Sequence, residues 1–310
     1  MKLFLVGANS PTGRGLIEIL RKNKIRFLAP PDKNFDPVDP GSISKMVAEF
    51  APTQLVNMAD FISRNHSALK RAESSEERCE RINALLPATL AETCNQLDIP
   101  MLHLSNSYVF DGEKKLGYNE NDDPNPKGVY GHYSLLGEQA VRNNSKHIIM
   151  RSGWLFGKHK SGLIKSWINS IKKHKGELKV SRRRFSPTAT ADIASAILAV
   201  TQQVDCDANA WGTYHYSGLE IKKEIEFARQ VLKYAANHDE EIYQLLDNTK
   251  IRENLPRLPE LPNSTLSSKK IFDTFGIKQK SWHGDLQETI KTLYVCRRRG
   301  QPDETQREIS

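Results

Sequence analysis

The sequence is sparing with cysteine: Cys79, Cys94, Cys206 and Cys296 are the only four in 310 residues, and they form no CxxC pair. Thiols so far apart offer neither a metal ligand set nor a redox couple, so they read as reduced and structural. Long apolar runs are missing too. No segment approaches the ~18 consecutive apolar residues of a membrane span, and the opening MKLFLVGANS has too short an apolar run for a signal peptide. A cytoplasmic protein with no membrane partner is expected. Acidic residues are the minority charge, 37 against 45 Lys and Arg, leaving a net charge of +8. Arg182–Arg184 and Arg297–Arg299 are clusters that can attract phosphate or simply form a solvated surface. Aromatic residues do not interleave with them, so binding to DNA or RNA is not expected. A hydrophobic share of 38% over this length suits one large core with a smaller lobe.

What is present begins at the N-terminus. Lys2–Ala8 reads as a buried parallel strand, and Gly13–Lys22 as a helix with Leu16, Ile17, Ile19 and Leu20 apolar. A strand, a tight loop and a helix N-terminus together make an anion site, because unpaired backbone amides and the helix dipole face the ligand. The loop Gly7-Ala-Asn-Ser-Pro-Thr-Gly13 aligns with a G-x-x-G-x-x-G pattern whose middle glycine is Ser10. Pro11 removes one amide, while serine is small and can donate a hydrogen bond. Gly7, Asn9, Ser10, Pro11, Thr12 and Gly13 are therefore candidate cofactor residues. A second strand, Lys24–Ala29, leads to Asp32, suited to a ribose hydroxyl, and Lys33, suited with Arg14 to a 2′-phosphate. NAD and NADP both remain open. Asp39 or Ser42 caps a helix over Ile43–Phe50, Thr53–Ala59 is a third strand, and Glu76–Leu97 is a long helix.

The centre of the chain is His103–Glu138. The strand Pro100–Ser105 ends in small polar residues, a loop dense in Gly, Asn, Asp and Pro follows, and a helix opens at Tyr130. A polar strand end and a tyrosine at the next helix are how an α/β sheet brings a proton-donating hydroxyl to a bound carbonyl. SNSYVFDG, the spacing Tyr118–Glu120–Asp122–Pro126, and YG followed by Gly137–Glu138 resemble dTDP-4-dehydrorhamnose reductase and its relatives among the extended short-chain dehydrogenases. The resemblance continues through RSGWLFG, Pro187-Thr188, Ala191-Asp-Ile-Ala194 and WGTYHYSG, and covers residues 1–295.

The resemblance implies an α/β fold, a Rossmann-type doubly wound parallel sheet with a smaller C-terminal substrate lobe. Residues 1–152 would form mainly the dinucleotide-binding part and 153–295 mainly the substrate lobe, with some segments returning to the sheet. The charged and polar composition of residues 296–310 points separately to a disordered tail. The resemblance also implies NADP or NAD as cofactor and a nucleotide-linked sugar as substrate. Asp36 would face the adenine, with Met58, Ala59 and Ser105 beneath the cofactor. Asn106, Ser107, Tyr130, Trp154 and Arg182 would face the sugar nucleotide. Met58 and Asp60 make the floor bulkier and more acidic than the family pattern. Asn83 is either a ligand contact or a satisfied buried group.

The catalytic positions depart from the pattern. The family's threonine falls on Asn106 and its lysine, four residues after the tyrosine, on Ser134. A tyrosine has a pKa of about 10, and a nearby ammonium eases its proton transfer near neutrality. Loss of that help costs a factor of ~10²–10⁴. Two expectations follow: a reductase that is weakly active or inactive, or a non-catalytic, dinucleotide-binding regulatory subunit with a protein partner. A regulatory subunit of methionine adenosyltransferase resembles the same family and sets a precedent for the second. Beyond the central stretch, helices are expected at Gly162–His174, Glu220–Asn237, Ser267–Phe275 and Trp282–Val295. Strands are expected at His147–Gly153, Glu177–Ser181 and Trp211–Gly218, with a proline-rich loop over Thr249–Pro262.

Overall fold

A computed structural model describes residues 1–36, 39–61, 71–257 and 259–298. Short apolar runs make the sheet: β1 (Lys2–Val6), β2 (Arg26–Leu28), β3 (Gln54–Asn57), β4 (Met101–Asn106) and β5 (His147–Ser152). All four residues of β3 are buried, as a strand covered on both faces requires. Between these strands lie α1 (Pro11–Lys22), α2 (Pro40–Phe50), α3 (Glu76–Glu80), α4 (Leu86–Gln96) and α5 (Val129–Val141). Helices α3 and α4 are joined by a π-helical turn, Arg81–Leu85, so the expected long helix is continuous but wound wider in the middle. The second lobe adds β6 (Leu155–Phe156), α6 (Gly162–Lys173), β7 (Glu177–Ser181), β8 (Arg184–Phe185) and β9 (Thr188–Ala189). Then come α7 (Thr190–Asp205), β10 (Gly212–Tyr216), β11 (Lys222–Lys223), α8 (Glu224–Ala236), α9 (Glu240–Leu245), β12 (Lys250–Asn254), α10 (Lys269–Phe275) and α11 (His283–Arg298).

The main sheet is parallel throughout, in the order β2-β1-β3-β4-β5-β10. One face is covered by α1 and α7, through Leu16, Leu20, Ile193 and Ile197. The other is covered by α2, α4 and α5, through Ile43, Val47, Leu90 and Val141. Chain direction across the sheet reverses between β1 and β3, and in such sheets ligands bind at the strand ends beside that point. This is the expected doubly wound architecture. The second lobe gathers around Phe227, whose ring lies 5.1 Å from Trp282, 5.4 Å from Trp154 and 5.7 Å from Phe185. Strand β10 forms the edge of the main sheet, and α7 packs on α1.

Several boundaries differ from expectation. Helix α1 starts at Pro11, two residues early, because Ser10 caps it with Oγ accepting from Gly13 N at 3.0 Å. Helix α8 starts at Glu224, because Lys222–Lys223 pairs with β8 as a strand. The proline-rich stretch contains β12, paired in parallel with β7. Helix α11 extends to Arg298, into the expected tail. Residues 299–310 of that tail lie outside the described residues. Asp39, rather than Ser42, caps α2, accepting from Ser42 N at 3.2 Å.

Candidate functional site

Loops after β1 and β3 meet at the reversal point. Gly7 has φ +72°, and a Cβ there would lie 2.2 Å from Ala59 N, so glycine is required both by conformation and by closeness. A cavity of about 360 Å³ opens here, lined by Gly7, Ser10, Asp32, Lys33, Ala59, Asp60 and Arg78, among others. Its basic side chains and the start of α1 suit a phosphate-bearing ligand. Two of the amides that a helix start can offer are withdrawn: Pro11 has none, and Gly13 N donates to Ser10 Oγ. Thr12 is buried, Asn9 is exposed, and the Asn9 carbonyl accepts from Arg14 Nε at 3.3 Å. Met58 is buried, with its amide bonded to Val6 O. Asp36 is exposed and pairs with Arg81 at 2.7 Å.

Tyr130 is the second residue of α5 and only 1% exposed. Its hydroxyl donates to Asp60 Oδ1 at 2.9 Å, and its ring meets Tyr108 edge-on at 5.4 Å. Burial, and then the Asp60 carboxylate, push this phenol well above the ordinary tyrosine range. Asn83, on the π turn, donates to the same Asp60 oxygen at 3.0 Å and to Ser134 Oγ at 3.2 Å, while its Oδ1 accepts from Phe61 N. Asn106, at the end of β4, donates to Ser134 Oγ at 3.0 Å. Ser134 in turn donates to the Tyr130 carbonyl one turn back, at 2.8 Å. Five side chains from four parts of the chain thus close into one hydrogen-bonded group. Asn83 is a satisfied buried residue within it.

The remaining candidates separate. Ser105 lies under the site, but its hydroxyl donates to Glu138 Oε1 at 2.6 Å, so it faces the interior rather than a cofactor. Glu138 is fully buried and also receives Arg151 Nε at 2.8 Å and Nη2 at 2.6 Å. Burial alone would raise its carboxyl, but the Arg151 bonds and charge prevail and hold it below the usual range. Ser107 is buried in the turn after β4. Trp154 is half-buried, set against Phe156, Phe185 and Phe227 as part of the lobe's core. Arg182 is exposed, whereas its neighbour Arg183 is buried, donates to Glu224, and lies beside Tyr108. The run of three arginines concealed which one turns inward; strand alternation between β7 and β8 was the available signal. Lys160, on the turn after β6, was also missed. Burial lowers its ammonium while the charge of Asp60 works the other way.

Chemically, the buried Tyr130 hydroxyl faces a carboxylate. A carboxylate acceptor keeps the phenol protonated, where an ammonium would ease its ionisation. Among the described residues no helix is long and apolar enough to cross a membrane, and no group of acidic, histidine or cysteine side chains is placed to hold a metal ion.

Known proteins resemble this chain along nearly its whole length. A dTDP-4-dehydrorhamnose reductase of Sinorhizobium fredii is 26% identical over 305 residues, covering 95% of this chain and 98% of that one. One from Aggregatibacter actinomycetemcomitans is 27% identical, covering 92% and 97%. The crystal structure of a dTDP-4-dehydrorhamnose reductase from Clostridium acetobutylicum superposes with a TM-score of 0.80 at 27% identity, covering 94% of this chain and 99% of that one. A Bacillus anthracis dTDP-4-dehydrorhamnose reductase, solved in complex with NADP, has a TM-score of 0.76 at 24% identity, covering 94% and 98%. The family model described as the RmlD substrate binding domain matches residues 1–295, and the chain belongs to that family.

Proposed function

We propose that this protein binds a nicotinamide dinucleotide, NADP or NAD, together with a nucleotide-linked sugar, and transfers hydride weakly or not at all. The dinucleotide would lie along the cavity at the β1/β3 reversal, its phosphates near Ser10 and Thr12 and its reactive end near Tyr130. The reduced nicotinamide supplies hydride chemistry when bound. The chain's own part in reduction is to hold the sugar and give a proton to the nascent alkoxide from the Tyr130 hydroxyl. The observation that carries the proposal is the 2.9 Å bond from that hydroxyl to Asp60, together with a serine at position 134. A proton held against a carboxylate, on a phenol made less acidic by burial, is poorly placed for transfer near neutral pH. A second reading, a dinucleotide-binding subunit that regulates a partner enzyme, is favoured by the same closed network, since binding surfaces persist around a muted acid.

The test is turnover of dTDP-4-keto-6-deoxysugars with NADPH or NADH, followed by loss of the reduced cofactor. Turnover is expected ~10²–10⁴-fold below that of reductases with a Tyr–Lys pair. Efficient turnover that disappears in Tyr130→Phe would refute the proposal.

A further inference from the structure

Asp60 introduces a charge where the two redox states of a nicotinamide differ. The cavity runs from Asp32, Lys33 and Phe35 behind β2, past Gly7 and Ser10, to Ala59 and Asp60 behind β3. Phosphates belong at the glycine loop in the middle, and the reacting end belongs beside Tyr130, which Asp60 touches. Oxidised nicotinamide carries one positive charge on its ring; the reduced ring is neutral and the rest of the molecule is unchanged.

Resting on the cofactor assignment above, we propose that Asp60 makes this pocket hold the oxidised dinucleotide more tightly than the reduced one. Two further carboxylates, outside the cavity's lining, act on the same buried thiol as Asp60. Glu73 accepts from Val129 N at the start of α5 at 3.0 Å, and Glu76 accepts from the Tyr133 hydroxyl at 3.0 Å. The buried Cys79 thiol between them is raised to about 12, first by burial and then by Asp60, Glu73 and Glu76. The opposing cations divide into two kinds. Lys33 and Arg78 line the same cavity and act on phosphates common to both redox forms, so they cancel from the ratio. Lys160 lies within electrostatic range of Asp60 and offsets part of its field. Asp60 is also anchored, because Tyr130 and Asn83 both donate to its Oδ1. An anchored carboxylate need not reorganise when a cation arrives, and inside a partly desolvated cavity its field is screened less than at the surface.

The experiment is a calorimetric titration of the full chain with NADP⁺, NADPH, NAD⁺ and NADH. For whichever dinucleotide binds, the oxidised form should bind about three- to tenfold more tightly. Asp60→Asn keeps an oxygen acceptor for Tyr130 and Asn83 and should abolish the gap by weakening the oxidised form alone. Lys160→Met should widen it. Equal affinity of the two forms in the wild type, a preference for the reduced form, or equal weakening of both in Asp60→Asn overturns the inference while leaving cofactor binding intact. Absence of binding by all four dinucleotides overturns the cofactor assignment, and the inference with it.

Discussion

At Tyr130 the outcome turns on what replaces a cation. Ser134 is geometrically where an ammonium would approach the tyrosine's helix face, since four residues along a helix returns to the same side. The serine instead completes a neutral set of bonds with Asn83, Asn106 and the Tyr130 carbonyl. Asp60 then becomes the phenol's partner. Ser134→Lys alone should therefore restore little hydride transfer, because the new ammonium would pair with Asp60. Combining it with Asp60→Ala should raise turnover about tenfold or more above either single variant; a single Ser134→Lys variant matching the double one would show that Asp60 does not matter. Sequence showed the missing lysine plainly, as a spacing within one helix. It did not show the carboxylate as the phenol's partner, because Asp60 lies 70 residues away from Tyr130 and only the fold joins them.

Elements were legible where they are governed by their own residues. Strand β1, helix α2 and strand β7 follow from local apolar runs and capping chemistry, although the sequence left the α2 cap open between Asp39 and Ser42. Strand β12 was not legible. Its sequence, KIREN, alternates between exposed and half-buried residues and carries three charges, so it is a strand because β7 pairs with it. The π turn at Arg81–Leu85 has a local signal that the reading of one long helix passed over: Pro87 has no amide to bond the Asn83 carbonyl four residues back. Helix α5 passes so near that a Cβ on Gly137 would lie 2.1 Å from Asn83 O. Gly137→Ala should push α5 off the turn carrying Asn83, lowering stability by about 1–3 kcal/mol and loosening the Tyr130–Asp60 bond with it. Urea unfolding checks the first effect. An unchanged midpoint would mean that the two helices can part without cost.

Across the whole molecule, buried polar groups tie the sheet together and set its tolerance of acid. His103 bonds Asn57 across two strands, and His215 lies between Arg151 and the Tyr118 carbonyl. Burial drives the first down to about 4, with Glu138 opposing and Arg142 assisting; burial and then Arg151 drive the second to about 3. Both rings are neutral when folded, and both bind protons near pH 6.5 once unfolded. Below 6.5 the unfolded chain takes up more protons, so stability falls as pH falls. The loss is about 2 kcal/mol per histidine at pH 5, and it continues toward the folded values. Glu138, held low by Arg151, adds a further loss below the ordinary carboxylate range. Urea midpoints at pH 7 and pH 5 should differ in that direction, and His103→Asn should shrink the difference. The overall architecture was legible because it is repeated strand–helix grammar, whereas the path of the chain between lobes was only partly so. That path has a consequence for truncation. Strand β10 and helix α7 reach the sheet only after the chain has crossed into the other lobe. The C-terminal lobe cannot be shed by deletion, since the cut would strip an edge strand and bare the apolar side of α1. Such a scaffold resists trimming, and whatever task it performs must be done at full size.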